Sequence, residues 1–232
     1  LYGGSYEDRI AQEIILGIGG VRALRKLGIV PDVYHFNEGH AVFAGLELIR
    51  EHMEHKECSF DEAWNKVREQ IVFTTHTPVP AGNESHGIEM LEWMGATKGF
   101  SREQIERIGG NPFSMTAAGL RLSRLSNAVA ELHAETANRM WEYLDNRSPI
   151  IGITNGVHPG TWQDARVRNA FEHGECVWSA HMEAKQALIE EIKERTGVQL
   201  NPDRLLIGFA RRFAEYKRGD LIFRNREVIE PL

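Results

Sequence analysis

The sequence is poor in cysteine and has no excess of positive charge. The two cysteines, Cys58 and Cys176, lie far apart without metal-site spacing, which favours a reducing compartment, the cytoplasm by default, over a disulfide framework. A formal net charge of -6 argues against a nucleic-acid or anionic-membrane surface. No apolar run reaches membrane-spanning length, and neither a methionine nor a signal segment opens the chain. We therefore expect a piece of a longer protein.

Motifs for covalent or metal-dependent hydrolysis are also missing. There is no Gly-x-Ser-x-Gly elbow, and neither cysteine lies in a nucleophile motif. His35, Glu38 and His40 straddle a strand-to-helix turn and share no helical face, so no metal site is predicted. A dinucleotide loop at residues 17–20 is disfavoured because helical periodicity continues on both sides; the glycines there are predicted to allow close helix packing.

What the sequence does contain is an alternation of helical and strand patterns. Periodicity and capping boxes at Ser59 and Ser101 predict helices over residues 6–27, 41–55, 60–69 and 181–196, and a short helix that begins at Ser101 and ends at Gly109 and Gly110. Residues 114–145 are also predicted to be helical, and a break at residues 123–127 is left open. Short apolar runs predict strands at residues 33–36, 71–75, 150–154 and 205–210, and residues 84–110 are interpreted as a surface excursion. This order predicts an α/β protein with a parallel sheet, split between two domains.

Polar corners follow all four predicted strands and would line one crevice if the strands are parallel. The last corner carries four cations that suit an anion such as phosphate, or else form a solvated basic turn: Arg211, Arg212, Lys217 and Arg218. His76, in a loop stiffened by two prolines, would bind a sugar hydroxyl or be satisfied by backbone. Asn155 would hold a hydroxyl or form an Asn-Gly turn. The residues alone leave these alternatives open.

Six sequence blocks occur in one order, at residues 7–16, 35–40, 74–82, 126–133, 154–159 and 210–218. In that order they resemble the α-glucan (glycogen, starch and maltodextrin) phosphorylase family, particularly its bacterial and archaeal branch. The resemblance implies a glycosyltransferase-B-like α/β architecture, in which two Rossmann-like domains face a cleft. Residues 1–160 would be the C-terminal part of the N-terminal domain, and residues 161–232 the crossover and the start of the C-terminal, cofactor-binding domain.

The resemblance also implies an activity and roles for residues. The family cleaves a terminal α-1,4 linkage of a glucan with inorganic phosphate, releasing glucose 1-phosphate with retention, and uses the phosphate of pyridoxal phosphate as a proton relay. His76 and Asn155 would contact the terminal glucose, and Arg212 and Lys217 the substrate phosphate. Three further residues would lie at the site: Tyr216 beside the phosphate and acceptor, Arg211 near the cofactor phosphate in place of the family's usual lysine, and His40 lining the substrate cleft.

The resemblance leaves some expectations for the complete protein. The cofactor-bearing lysine is expected beyond Leu232, so this chain by itself would be inactive and unable to form a Schiff base with pyridoxal phosphate. Dimers are usual in the family, so a homodimer is one expected state, although no interface is recognisable in the sequence. Two alternatives stay open: a nucleotide-sugar-dependent glucosyltransferase of the same architecture, and a non-catalytic glucan-binding protein.

Overall fold

The computed structural model describes residues 4–76, 79, 82–211 and 215–229. The chain divides into two compact parts, residues 1–155 and residues 156–232, which we name unit 1 and unit 2. The domain prediction places its boundary between residues 160 and 161.

Unit 1 begins with helix α1 (Tyr6–Ile14), a π-helical turn (Ile15–Gly19) and helix α2 (Gly20–Lys26). The remaining elements follow in this order: β1 (Tyr34–Asn37), a 3-10 helix (Gly39–Ala41), α3 (Phe43–Lys56), α4 (Phe60–Arg68), β2 (Ile71–Thr75), β3 (Ser85–His86), α5 (Ile88–Trp93), α6 (Arg102–Gly109), β4 (Phe113–Ser114), α7 (Met115–Leu122), β5 (Leu125–Ala128), α8 (Glu131–Met140) and β6 (Ile150–Gly152).

A four-stranded parallel sheet organises unit 1, in the order β1-β2-β5-β6. This confirms the predicted α/β class with a parallel sheet. Strands β1, β2 and β6 lie where short apolar runs predicted them, but β5 was not predicted as a strand. Strand β5 lies in the region that was expected to be one helix with a break. It has only four residues between two helices, which is too short a run to be recognised as a strand. Strands β3 and β4 form a small antiparallel pair.

Local capping explains where several helices begin. The Ser59 hydroxyl oxygen accepts a hydrogen bond from the backbone N–H of Glu62, and the Glu62 carboxylate accepts one from the backbone N–H of Ser59. Ser101 and Gln104 form the same box. Both boxes were predicted. A third box, between Ser5 and Asp8, opens α1. Each box satisfies two amide donors that the first turn of a helix leaves unpaired.

The core of unit 1 is built from large side chains that are fully buried, including Phe43, Phe73 and Phe113. Glycine permits close contacts there: a Cβ on Gly17 would lie 2.7 Å from the backbone nitrogen of Ala44, as the packing prediction required. The interpretation of residues 84–110 as a surface excursion is wrong, because the segment contributes four buried side chains: Ile88, Leu91, Ile105 and Ile108. Each such burial stabilises the fold by about 1.5–3 kcal/mol.

Unit 2 is helical in its described part. It contains α9 (Pro159–Trp162), α10 (Ala165–Glu172), α11 (Val177–Thr196), two 3-10 helices (Glu215–Lys217 and Leu221–Phe223) and α12 (Arg226–Ile229). Helix α11 begins before the predicted start at residue 181 and ends at Thr196; the next residue, Gly197, adopts the left-handed conformation expected of a C-terminal cap.

The predicted strand at residues 205–210 does not form. Leu205, Ile207 and Phe209 are 66%, 55% and 60% exposed, and the segment has no regular secondary structure. A strand satisfies its backbone donors and acceptors by pairing with a neighbour, and residues 156–211 and 215–229 contain no other strand. Arg211 therefore follows an exposed segment without regular secondary structure and not the end of a buried strand.

None of the helices in the described ranges combines the length and apolar character needed to cross a membrane.

Candidate active site

The carboxyl ends of the parallel strands bring several polar residues of unit 1 together. Strand β1 is followed by Glu38, β2 by His76, and β5 by Val129. The strands are in register, with Asn37 opposite Thr74 and Thr74 opposite Asn127. Since the strands run in the same direction, the residues that follow them share one edge of the sheet, which is where ligands bind in open α/β sheets.

His76 is held at this edge by two neighbours from the end of β1. Its backbone N–H donates to a carboxylate oxygen of Glu38, and its Nε2 lies 2.6 Å from Oδ1 of Asn37. Because the amide oxygen of Asn37 can only accept, Nε2 carries the proton and Nδ1 of the neutral ring is an acceptor. The His76 side chain is exposed, so its acceptor atom is accessible to a ligand.

Glu38 has an unusual backbone conformation that places its side chain next to His76. Its φ of 63° and ψ of -172° belong to a region that is almost exclusive to glycine. The Glu38 N–H donates to the carbonyl of Thr74 at 2.8 Å. The following residue must be small, because a Cβ on Gly39 would lie 2.7 Å from Cβ of Met115. Such strain, about 1–3 kcal/mol for one residue, clusters at functional sites.

A chain of side-chain hydrogen bonds links three strands below His76. The Thr74 hydroxyl donates to Oδ1 of Asn127 at 2.7 Å, so Nε2 of His35, 2.7 Å from the same hydroxyl, must be the donor to Thr74. The chain crosses from β1 through β2 to β5. It adds side-chain hydrogen bonds to the backbone ladder, in the direction perpendicular to the strands.

Asn155 lies at the same edge, after β6. The N–H of Ile153 donates to Ala128 at 2.9 Å and the N–H of Asn155 donates to Val129 at 3.1 Å, so the backbone after β6 continues alongside β5. The Asn155 side chain is exposed. His76 and Asn155 thus both belong to the edge formed by the strand ends of unit 1, as expected for them.

His40 belongs to a different cluster, on the 3-10 helix after Glu38. Its Nδ1 lies 2.6 Å from Nη2 of Arg9, which also makes a two-pronged hydrogen bond to Glu84 at 2.8 and 2.7 Å. The Nε of Arg9 lies 3.3 Å from Glu13. A cavity of about 410 Å³ adjoins this cluster, lined in part by Arg9, Glu13, His40 and Leu16.

The ligand atoms of Glu13, His40 and Glu84 lie within 4.8 Å of one another, as in a metal site. The guanidinium of Arg9 already contacts all three residues. A fixed positive charge among them does the electrostatic work that a cation would do, so the arrangement is an ion-pair network. Burial raises the pKa of Glu84, but the hydrogen bonds and the charge of Arg9 lower it below its usual value.

Glu13 continues this network into the core. It is 1% exposed, and its Oε2 lies 2.8 Å from Nε2 of His86, which is 2% exposed. Nδ1 of His86 lies 3.3 Å from the hydroxyl of Tyr6. Burial raises the pKa of Glu13, and the hydrogen bond to His86 opposes that rise. The sequence analysis missed this pair, because no spacing relates two residues 73 positions apart.

The residues expected at the phosphate and cofactor lie in unit 2, and the structure describes them only in part. Arg211 is exposed and Lys217 is half-buried in a 3-10 helix. Tyr216 lies in the same short helix, but its side chain is outside the described atoms. Arg212 lies outside the described residues. Their roles in the site therefore remain predictions.

No family model matches the chain. Comparison with the sequences of known proteins does find similar ones. It is 37% identical to the maltodextrin phosphorylase of Thermococcus litoralis and 34% identical to the glycogen phosphorylase of Mycobacterium tuberculosis; both alignments include 100% of this chain, and 33% and 34% of those proteins. It is 25% identical to the glycogen synthase of Lactococcus lactis, over 99% of the chain and 46% of that protein.

The chain spans about a third of the length of the phosphorylases that it matches. The matches run through all six blocks on which the resemblance was based, and they come from both archaea and bacteria. The resemblance is confirmed: over its whole length the chain is similar to maltodextrin and glycogen phosphorylases, as a piece of a longer protein of that kind would be.

Proposed function

We propose that the full-length protein removes the terminal α-1,4-linked glucose of glycogen, starch or maltodextrin by phosphorolysis. Inorganic phosphate attacks C1, the bond from C1 to the glycosidic oxygen breaks, and glucose 1-phosphate leaves with retained configuration. The proton that the departing oxygen needs comes from the phosphate. This chain would supply the sugar-binding edge and part of the phosphate site, and would be inactive alone.

The hydrogen bonding of His76 is the observation that supports the proposal best. Glu38 holds its backbone and Asn37 fixes its proton on Nε2, so Nδ1 presents a lone pair at an exposed strand end. An oriented acceptor suits a sugar hydroxyl, and Asn155 at the same edge offers an amide that can both donate and accept. Orienting groups of this kind lower the entropic cost of reaching a reactive geometry.

The remaining roles follow the family pattern and complete the proposal. In unit 2, Arg212 and Lys217 would bind the substrate phosphate, and Tyr216 would border it and the acceptor. Two cations around a dianion stabilise the charge that develops as the glycosidic bond breaks. His40 would line the substrate cleft from its position next to Arg9. Its Nδ1 would not contact the substrate, because that atom is hydrogen-bonded to Arg9.

Pyridoxal phosphate would serve the full-length protein by supplying a phosphate group next to the substrate phosphate. The described residues of unit 2 do not fit the cofactor by themselves: Arg211, the residue proposed for its phosphate, has an exposed side chain on a segment without regular structure. A single exposed guanidinium gives neither enclosure nor an anchoring amine.

The test is an assay of the full-length protein with maltoheptaose and inorganic phosphate. We expect release of glucose 1-phosphate, and a fall in kcat/KM of roughly tenfold or more for His76→Ala, since one oriented hydrogen bond is lost. His55→Ala, on an exposed position of α3, is the matched control and should leave kcat/KM unchanged. Arg212→Ala and Lys217→Ala should abolish turnover while glucan binding persists.

A nucleotide-sugar-dependent glucosyltransferase is the second candidate, favoured by the similarity to a glycogen synthase. It would use the same edge for sugar and the same cations for a diphosphate. Transfer of glucose from a sugar nucleotide, without glucose 1-phosphate from maltoheptaose and phosphate, would establish it in place of phosphorolysis. Glucan binding with neither reaction would identify a non-catalytic binding protein.

A further inference from the structure

His133, in the first turn of α8, has a defined tautomer that the predicted site does not use. Its Nδ1 accepts a hydrogen bond from the backbone N–H of Val129 at 3.2 Å. An acceptor nitrogen carries no proton, so the proton of the neutral ring must be on Nε2. The ring thus directs an N–H donor away from the backbone that fixes it.

The position of His133 places that donor beside the proposed sugar-binding groups. The carbonyl of Val129, the residue that His133 caps, accepts the N–H of Asn155 at 3.1 Å. Burial lowers the pKa of His133; the charge of Glu38 opposes that shift and His76 reinforces it, so all three side chains are near neighbours. His133 therefore belongs to the edge that also carries His76 and Asn155.

The Nε2 atom is buried and has no hydrogen-bond partner among residues 4–76, 79, 82–211 and 215–229. A buried donor without a partner is costly, and native proteins keep few of them unless a ligand or another group completes the bond. His76 offers an acceptor at Nδ1 and His133 a donor at Nε2. A sugar hydroxyl both donates and accepts, so it is complementary to this pair.

We infer that the Nε2–H of His133 donates a hydrogen bond to a hydroxyl of the glucan bound at the edge formed by His76 and Asn155. The inference rests on the proposed glucan substrate and adds a third contact residue in unit 1. His133 is a substrate-binding residue in this scheme. Its effect should appear in glucan affinity and KM more than in kcat.

Two variants separate the donor from the backbone contact. In His133→Asn, Oδ1 takes the place of Nδ1 and can still accept from Val129, but the distal donor is gone. In His133→Gln, the amide nitrogen reaches the place of Nε2, but the acceptor for Val129 is lost. In the full-length protein we expect His133→Asn to raise the Kd for maltoheptaose roughly three- to tenfold at unchanged Tm. His133→Gln should bind within about twofold of wild type and melt at a lower temperature.

A measurement on the unmodified side chain covers the case in which the variants unfold. In protein labelled with ¹⁵N-histidine, the Nε2–H resonance of His133 should shift on addition of maltoheptaose. The resonance is assigned by its absence from the spectrum of His133→Asn or, if that variant unfolds, through correlations within the imidazole ring. Equal affinity of His133→Asn and wild type, or a resonance unmoved by saturating maltoheptaose, overturns the inference. A wild-type protein that neither binds nor cleaves maltoheptaose refutes the proposed function instead.

Discussion

Replacing His86 tests whether the buried polar chain from Tyr6 to Glu13 stabilises unit 1. His86→Leu is similar in volume and removes the donor that lies 2.8 Å from the Glu13 carboxylate. It also removes the ring that lies 5.4 Å from the Tyr6 ring. The substitution leaves a carboxylate that is 1% exposed with one partner fewer.

The expected loss of unfolding free energy is about 2–4 kcal/mol. A hydrogen bond to a charged group contributes about 1.5–3 kcal/mol, and leaving a buried charge without its partner costs about 3–5 kcal/mol. Two features keep the loss below the upper limit. Arg9 still lies 3.3 Å from the other oxygen of Glu13. Burial already raises the pKa of Glu13, so the carboxylate can take up a proton when its partner is lost.

Urea unfolding at pH 7 measures the change, and amide exchange at Gly87, whose N–H donates to the Tyr6 hydroxyl, reports it locally. His55→Leu, at an exposed position of α3, should change stability by less than about 0.5 kcal/mol. His86→Gln keeps a donor for Glu13 and should lose less than His86→Leu. Equal stability of His86→Leu and His55→Leu would refute the energetic role of the pair.

Two further predictions concern packing and pH. Gly119→Ala would place a Cβ 2.6 Å from the buried ring of Phe73 and should lower the unfolding free energy by about 1–3 kcal/mol. Gly20→Ala, whose Cβ would have nothing within 4 Å, should raise the unfolding free energy by about 0.5–1 kcal/mol. Urea unfolding of both variants measures the difference, and equal effects would contradict the close packing at Gly119. Hydrogen bonds from Arg166 lower the pKa of Asp164 from 3.8 to about 2. The Asp164 cap on α10 should therefore be intact above pH 3.8 and lost as pH falls through about 2. The pH dependence of the Asp164 carboxyl chemical shift in NMR measures this, and a titration midpoint near 3.8 would contradict the prediction.

The helices and most strands of unit 1 were predictable because their signals are local. The capping boxes at Ser59 and Ser101, and the apolar run of β2, depend on residues a few positions apart. Strand β5 was missed because four residues between two helical patterns carry too little periodicity. The strand expected at residues 205–210 failed for another reason: an apolar run predicts burial, but a strand forms only where a neighbouring strand can pair with it.

The candidate site shows the same division between local and tertiary information. The sequence by itself identified His76 and Asn155, since both follow predicted strands and match the family blocks. Only the tertiary structure decided that Asn37 and Glu38 hold His76, that His40 turns to Arg9 and not to that edge, and that Glu13 pairs with His86. The physical reason is that hydrogen bonds depend on distances of about 3 Å between atoms, and local sequence patterns do not show which distant segments approach that closely.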